Sequence, residues 1–484
     1  MSTLEPPSTA AASASALSPR RFLAPLALAQ FICSFAGSNM NVMINDITED
    51  LNTTVTGVQA AITLFLLVMA VLMIPCSKLT DRWGRKRCFT IGLVLYGIGA
   101  LLSAVSPGLG ILILGNSIFE GVGTALLIPP VYILTTLRFE DMASRAKAFG
   151  MISGFGGIGA AAGPLIGGVI TSAISWRAAF VFQALIVALI VVLARRIVDP
   201  IEPDPKRPFD TVGAVLSAVG MFCVVFGILQ ADNDLGLMAA FLVVGAVFLT
   251  GFFAWIRARE RADREPILST VVFRNRTSNL GLVTQNVQWL LLMGTSFTVA
   301  VFLQTVRGYG AIETGVIFTA ATAGVLISSL AAGRLARRHS QRTLIIAGFV
   351  LTLAGIGILL GLVDLSSRIA AFVPGLLLIG LGLGVMLTAS VNVVQSSFPE
   401  RQQGEISGLS RSISNLGSSF GTAIAGTILV SDLASGNGSY VLAMISLAVF
   451  ALVGLVAAYL LPSGPVAAGA RPVPEGATAV SAPG

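Results

Sequence analysis

The sequence predicts an all-α integral membrane protein: two parallel six-helix bundles with an inserted helix pair, fourteen transmembrane helices in all. Three observations carry this expectation. The 484 residues are 55% hydrophobic and 11% charged, with a mean hydropathy of +0.88, whereas soluble domains carry about a quarter charged residues. Apolar stretches close to the ~20 residues that span a bilayer recur along nearly the whole chain. The basic residues alternate between loops, so that 27 of the 30 Lys and Arg fall on one side and only Arg177, Arg307 and Arg368 on the other. The positive-inside rule makes the first side the cytoplasm and places both termini there.

Taken in order, the predicted spans are 23–46, 57–77, 88–106, 108–133, 146–172, 178–197, 211–230, 236–256, 279–304, 312–335, 343–363, 370–396, 409–431 and 439–461. Residues 1–22 are polar, small and Pro-containing with no apolar core, which predicts a disordered cytoplasmic tail and not a signal peptide. Residues 463–484 read the same way. Between the tails, 23–198 and 279–462 are the two six-helix bundles, and 199–278 holds helices 7 and 8 between the charged linkers "VDPIEPDPKRPFD" and "RARERADREPILSTVVFRNRTSN".

The division rests on internal repeats. "TGVQAAITLFLLVMAVLMIPCSKLTDRWGRK" on helix 2 is echoed by "TGVIFTAATAGVLISSLAAGRLARRHSQR" on helix 10, and Gly159, Gly163 and Gly167 on helix 5 by Gly417, Gly421 and Ala425 on helix 13. Both pairs lie eight helices apart. Parallel repeats with a binding site between them are a transporter architecture.

Several function classes fall away. The net charge of +7 is accounted for by the loops, which leaves no basic patch for nucleic acid. Cys33, Cys76, Cys88 and Cys223 lack metal-ligand spacing and read as small packing residues. The single histidine, His339, lies in a loop, so no intramembrane histidine relay is expected. "GFGGIGAAAG" sits within a span and lacks the lysine of a phosphate loop. No catalytic cluster, metal site or cofactor is expected. Arg outnumbers Lys 26 to 4, which points to a GC-rich bacterial genome and hence a bacterial plasma membrane.

Two motifs carry a resemblance. The turn after helix 2, "SKLTDRWGRKR", is similar to the loop signature G-x-L-a-D-R-x-G-R-K of the major facilitator superfamily, with Ser77 at the first glycine. Gly84 suits a tight turn, and Asp81, Arg82 and Arg85 supply charges that can pair in one conformation and part in another. A plain positive-inside anchor is the alternative, and the second-half copy, with Arg337 where Asp81 would stand, is expected only to anchor. Helix 5 carries "GMISGFGGIGAAAGPLIGG", whose Gly150, Gly159, Gly163, Pro164, Gly167 and Gly168 match the helix-5 signature of antiporters in that superfamily. Small residues every four positions also make a ridge for close helix packing, and Pro164 bends the helix. Fourteen helices with this signature resemble the drug/proton antiporter branch of multidrug exporters, which implies export of a small amphipathic organic substrate against protons by a monomer in the lipid bilayer.

The departures from that branch matter as much. Its helix-1 acid falls on Ala36 in "FAGSNMNVMIND", and in "SIFEGVGTA" of helix 4 its arginine becomes Ser117 and its glutamine Glu120. Acid and base are lost together, which leaves no unpaired charge. Glu120 is the one acidic residue near a helix midpoint. An intramembrane acid costs about 2.5–3.5 kcal/mol to insert and is by default functional. A carboxyl that holds a proton and yields it to an arriving cation performs antiport in its minimal form. The alternative is a permanently neutral Glu120 hydrogen-bonded to Asn116, Ser117 or helix 1.

Helices 1, 4, 9 and 12 line the cavity in the superfamily, and all four carry polar residues here. Gln30, Ser34, Ser38, Asn41 and Asn45 form one stripe on helix 1. Asn116 lies on helix 4, Gln285, Gln288 and Trp289 on helix 9, and Asn392 on helix 12. Interhelical hydrogen bonding is the alternative use of these amides. Two further functional readings stay open: a proton-independent uniporter or lipid or metabolite exporter, given Ala36 and Ser117, and a transporter-fold sensor or scaffold without flux.

Overall fold

The computed structural model describes residues 18–139, 142–199, 202–206, 208–230, 234–363, 371–398, 403–430 and 437–462. The predicted tail 463–484 and most of the first tail lie outside these. A helix stands at each of the fourteen predicted positions. In the first half these are α1 Pro19–Val42, α2 Val55–Trp83, α3 Arg85–Ala104, α4 Leu109–Arg138, α5 Met142–Ala173 and α6 Trp176–Ala194. The inserted pair is α7 Thr211–Leu229 and α8 Leu235–Arg261. The second half comprises α9 Arg276–Val306, α10 Ala311–Arg338, α11 Gln341–Val363, α12 Val373–Gln395, α13 Gln403–Val430 and α14 Asn437–Tyr459. Among the described residues 12 of these are long and apolar enough to cross a membrane, and α5, bent by 43° between Ala148–Ala160 and Ala162–Ala173, brings the number to 13. A total of fourteen is compatible with this. The bend sits where Pro164 leaves the carbonyl four residues earlier without a donor.

At the basic end several helices outrun the predicted spans. α2 continues to Trp83, α8 to Arg261, and α13 begins at Gln403, not 409. Apolarity stops at the first charges, but Lys, Arg, Glu and Gln are good helix formers. α1 likewise starts at Pro19, so the end of the predicted first tail is helical, with proline in the first turn where its missing N–H is harmless. α2 ends at Gly84, whose φ of +90° turns the chain directly into α3.

Close backbone packing shows the internal repeat in three dimensions. A Cβ on Gly159 would stand 2.3 Å from the Phe31 carbonyl of α1, and one on Gly163 2.1 Å from Ser38 Oγ. In the second half the same positions press α13 onto α9: Gly417 would meet the Asn286 carbonyl at 2.2 Å and Gly421 the Leu290 carbonyl at 2.2 Å. A further matching pair escaped the sequence reading. Gly99 of α3 would meet the Gly115 carbonyl of α4 at 2.6 Å, and Gly355 of α11 the Gly375 carbonyl of α12 at 2.6 Å. The two halves meet along α2 with α13 and along α5 with α10. The inserted helices pair with each other, and α7 leans on α2 and α13.

Candidate functional site

α1, α2, α4, α9 and α13 enclose a cavity of about 40 Å³ between the halves. Its walls are Gln30, Cys33, Ser34 and Gly37 of α1, Leu66, Met69 and Met73 of α2, Ile128 of α4, Trp289 and Met293 of α9, and Arg411, Asn415 and Ser418 of α13. Contacts between the halves close it at both ends. At the basic end Lys78 Nζ lies 2.7 Å from Glu405 Oε1, and beside the cavity itself Ser412 Oγ donates to the Ala70 carbonyl at 2.5 Å. At the opposite end Asn41 Nδ2 donates to Ser296 Oγ at 3.1 Å, Gln304 Nε2 to the Asn41 carbonyl at 2.7 Å, and Asn45 Nδ2 to the Gln304 carbonyl at 3.0 Å. Between them Ser419 Oγ reaches the Thr63 carbonyl at 3.2 Å.

Of the residues expected to line a substrate cavity, Trp289 does so, together with two residues of the α1 stripe. Gln285 is held by Ser410 and Ser414 at 2.9 Å each, and Gln288 accepts from Ser390 at 2.7 Å, so these amides tie α9 to α13 and α12. Ser38 is turned to its own helix carbonyls against Gly163, Asn41 seals one end, and Asn392 is exposed near the basic end of α12. Hydrogen-bond demand at the helix seams claimed most of the polar residues that sequence spacing assigned to the cavity. The α1 stripe fares better, since Gln30 and Ser34 are wall residues.

Arg411 is the residue the sequence reading misplaced. The charge alternation counts it with the cytoplasmic side, at the edge of the predicted span 409–431, but α13 begins eight residues before it, which carries it into the bundle. A signal existed: setting Gly417 against Gly159 puts Arg411 opposite Ser153, well inside helix 5. Its guanidinium lies over the Tyr132 ring of α4, 4.5 Å from the centroid, and donates to the Tyr132 hydroxyl. Tyr132 in turn donates to Gln30 Oε1 at 3.1 Å, and Gln30 Nε2 to Ser34 Oγ at 3.2 Å.

Glu120 is fully buried, but it is not a wall residue of the cavity. It closes a π-helical stretch of α4, Ile113–Glu120, a form that recurs at functional sites. Its carboxyl is within electrostatic reach of Cys33, Tyr96 and Ser103, between α1, α3 and α4. Neither carboxyl oxygen meets hydrogen-bond geometry among the described residues, and the same holds for both amide atoms of Asn116, Ser103 Oγ and Thr124 Oγ1. The Tyr96 hydroxyl is engaged by Gln183 Oε1 at 2.5 Å. Ser117, at the position of the missing arginine, donates to the Ala61 carbonyl at 2.8 Å. Cys33, within electrostatic reach of Glu120, is itself a wall residue of the cavity, and Glu120 is not.

In the α2–α3 turn Asp81 pairs with Arg85 at 2.7 Å. Asp199, which the sequence reading did not single out, accepts the backbone N–H groups of Arg85 at 2.6 Å and Lys86 at 3.2 Å, placing a carboxylate on the positive N-terminus of α3. Arg82 is exposed. Of the helix-5 glycines, Gly159, Gly163, Gly167 and Gly168 lie against other backbones or side chains, but a Cβ on Gly150 would meet nothing within 4 Å.

Comparison with known proteins adds to this geometry. The model of the Major Facilitator Superfamily matches residues 26–273 and 282–483. The chain is similar to puromycin resistance protein pur8 of Streptomyces alboniger, 28% identical over 85% of this chain and 82% of that one. It is similar to the tetracenomycin C resistance and export protein of Streptomyces glaucescens, 28% identical over 88% and 79%. The multidrug efflux pump LfrA of Mycolicibacterium smegmatis is 28% identical over 84% and 80%.

Proposed function

The chain belongs to the Major Facilitator Superfamily, and from that premise we propose that it exports small amphipathic organic compounds by alternating access in exchange for protons. It is a multi-pass membrane transporter and not an enzyme. The supporting observation is the cavity between two pseudo-equivalent halves, latched at both ends by contacts that cross from one half to the other. Pockets for drug-sized ligands run roughly 300–1,000 Å³, so a cavity of about 40 Å³ admits substrate only when one set of latches opens. Opening one end while the other stays sealed is alternating access. The relatives' names point the same way: puromycin resistance, tetracenomycin C export and multidrug efflux.

In this reading 23–198 and 279–462 are the moving bundles and 199–278 the inserted pair, in a monomer of the bacterial inner membrane with both termini cytoplasmic. The glycines of α5 give α1 and α10 a surface to rock on, and Glu120 carries the proton behind the cavity wall. A cluster of buried polar atoms without partners, as around Glu120, is the kind of environment in which such a group is held. The test is uptake of lipophilic aromatic dyes into inside-out proteoliposomes with and without an imposed pH gradient. Accumulation that follows the gradient and collapses with a protonophore is expected. Flux indifferent to the gradient would favour a proton-independent exporter, the reading that Ala36 and Ser117 also suit, and no flux of any dye would sink transport of this class.

A further inference from the structure

The cavity carries one charge, and it is positive. Among the described wall residues Arg411 alone is ionised at neutral pH; no Asp, Glu, Lys or His joins it. A guanidinium stays protonated inside proteins, and an intramembrane cation normally faces a carboxylate or a ligand. Here no carboxylate meets Arg411 among the described residues. Among the described residues its charge is met only by the Tyr132 ring and hydroxyl, so of its five N–H donors one is engaged by a described protein group. The same wall holds Trp289, and Met69, Met73 and Met293 supply adaptable apolar surface that suits flat rings.

We propose that the substrates are aromatic organic anions, carboxylates or phenolates, whose acidic group pairs with Arg411 while the ring lies against Trp289 and the methionines. This rests on the export reading above and deepens it by naming the substrate class; it departs from the expectation that an acidic residue would select cations. Arg411 can do this without leaving its place. A carboxylate takes two parallel N–H donors of a guanidinium, and the Tyr132 ring holds the guanidinium plane in position. Glu120 does not contest the site. It is not a wall residue, and it precedes Tyr132 by twelve residues on α4, about 18 Å along a helix, so the proton-carrying group and the substrate charge occupy separate places.

The experiment uses the full-length protein in proteoliposomes and three probes sharing one ring: 2-naphthoate, neutral 2-naphthamide and 2-naphthylmethylammonium. Wild-type protein is expected to exchange naphthoate at least tenfold faster than the ammonium probe at equal concentration. Arg411→Gln is expected to bring that ratio close to one, and Arg411→Lys, which keeps the charge but loses the fork, to retain most of it. Naphthoate binding should quench tryptophan fluorescence less in Trp289→Leu. An ammonium probe moving as fast as naphthoate in wild type, or an anion preference unchanged in Arg411→Gln, overturns the proposal while leaving export intact. Movement of none of the three in wild type overturns both. The wild-type ratio stands without any variant, so a misfolded Arg411→Gln does not protect the proposal.

Discussion

Lys78 of α2 donates to Glu405 of α13 across 2.7 Å and ties the first half of the molecule to the second at its basic end. The same ammonium lies 3.4 Å from Glu265, in the segment that follows the inserted pair. The side chains are only 17% and 21% exposed, so the pair is worth about 1 kcal/mol, the upper range for incompletely desolvated pairs. Losing it should shift the balance toward the conformer open at that end roughly fivefold. The predicted readout is the rate at which an impermeant thiol reagent labels Ser412→Cys, which faces Ala70 in the closed seam. Lys78→Ala should raise that rate about fivefold, and Lys78→Glu with Glu405→Lys should bring it back. An unchanged rate in Lys78→Ala would show that the latch lies elsewhere.

Two glycines of one motif should respond oppositely to alanine. At Gly159 the new methyl meets the Phe31 carbonyl at 2.3 Å, a backbone atom that cannot move aside alone, so Gly159→Ala should cost roughly 1–3 kcal/mol. At Gly150 nothing lies within 4 Å, and alanine is favoured over glycine in a helix by about 1 kcal/mol, so Gly150→Ala should be neutral or stabilising. Thermal unfolding in detergent separates them. Equal losses would mean that the motif acts as a unit and not through local clearance.

How far the sequence could be read follows from what each signal measures. The spans were legible because apolarity acts at the scale of a whole helix. Close packing of α5 and of α13 was legible in their glycines at four-residue spacing, but not that their partners are α1 and α9. Helix ends were not: apolarity stops at residues 77 and 409, whereas backbone hydrogen bonding runs on to Trp83 and starts at Gln403. Arg411 stands two residues inside the predicted span 409–431 and was counted with the cytoplasmic charges, whereas a helix that starts at Gln403 carries it a further turn and a half into the bundle. The amides Gln285 and Gln288 were legible as buried but not as seam residues, because their partners Ser410, Ser414 and Ser390 lie about a hundred residues or more away in sequence. The π stretch that ends at Glu120 has no periodicity signal at all.

At the end opposite the basic loops, Arg177 donates to the Asp50 carboxylate and, at 2.9 Å, to the Ser106 carbonyl, while Trp176 Nε1 donates to Asp50 at 3.1 Å. The Arg177 hydrogen bond, with help from Trp176, holds the Asp50 carboxyl below the usual carboxylate range. The sign follows directly: a depressed acid contributes stability that is present above its unfolded value, about 3.9, and lost as pH falls through the lower folded value. Thermal stability should therefore fall below about pH 4, and Asp50→Asn should flatten that part of the profile. The effect should be small, since both side chains are over a third exposed. A profile identical in Asp50→Asn would exclude this pair as the acid-labile contact.

Glu120 offers the sharpest separation of stability from function. Its carboxyl is fully buried without a hydrogen bond among the described residues, so the site contributes nothing that a well-packed apolar side chain would not. A buried polar group left without a hydrogen-bond partner costs about 1–3 kcal/mol, which an apolar side chain of similar volume does not incur. Glu120→Leu should thus unfold at the same temperature as wild type or higher, and Glu120→Gln should fold normally. Both should still exchange substrate across the membrane, because Glu120 is not a cavity wall. What they should lose is uphill accumulation on an imposed pH gradient, together with substrate-driven proton release. A residue kept for packing would show the reverse, lowering stability when replaced and leaving the pH response alone. Gradient-driven accumulation persisting in Glu120→Gln would remove this carboxyl from the coupling mechanism.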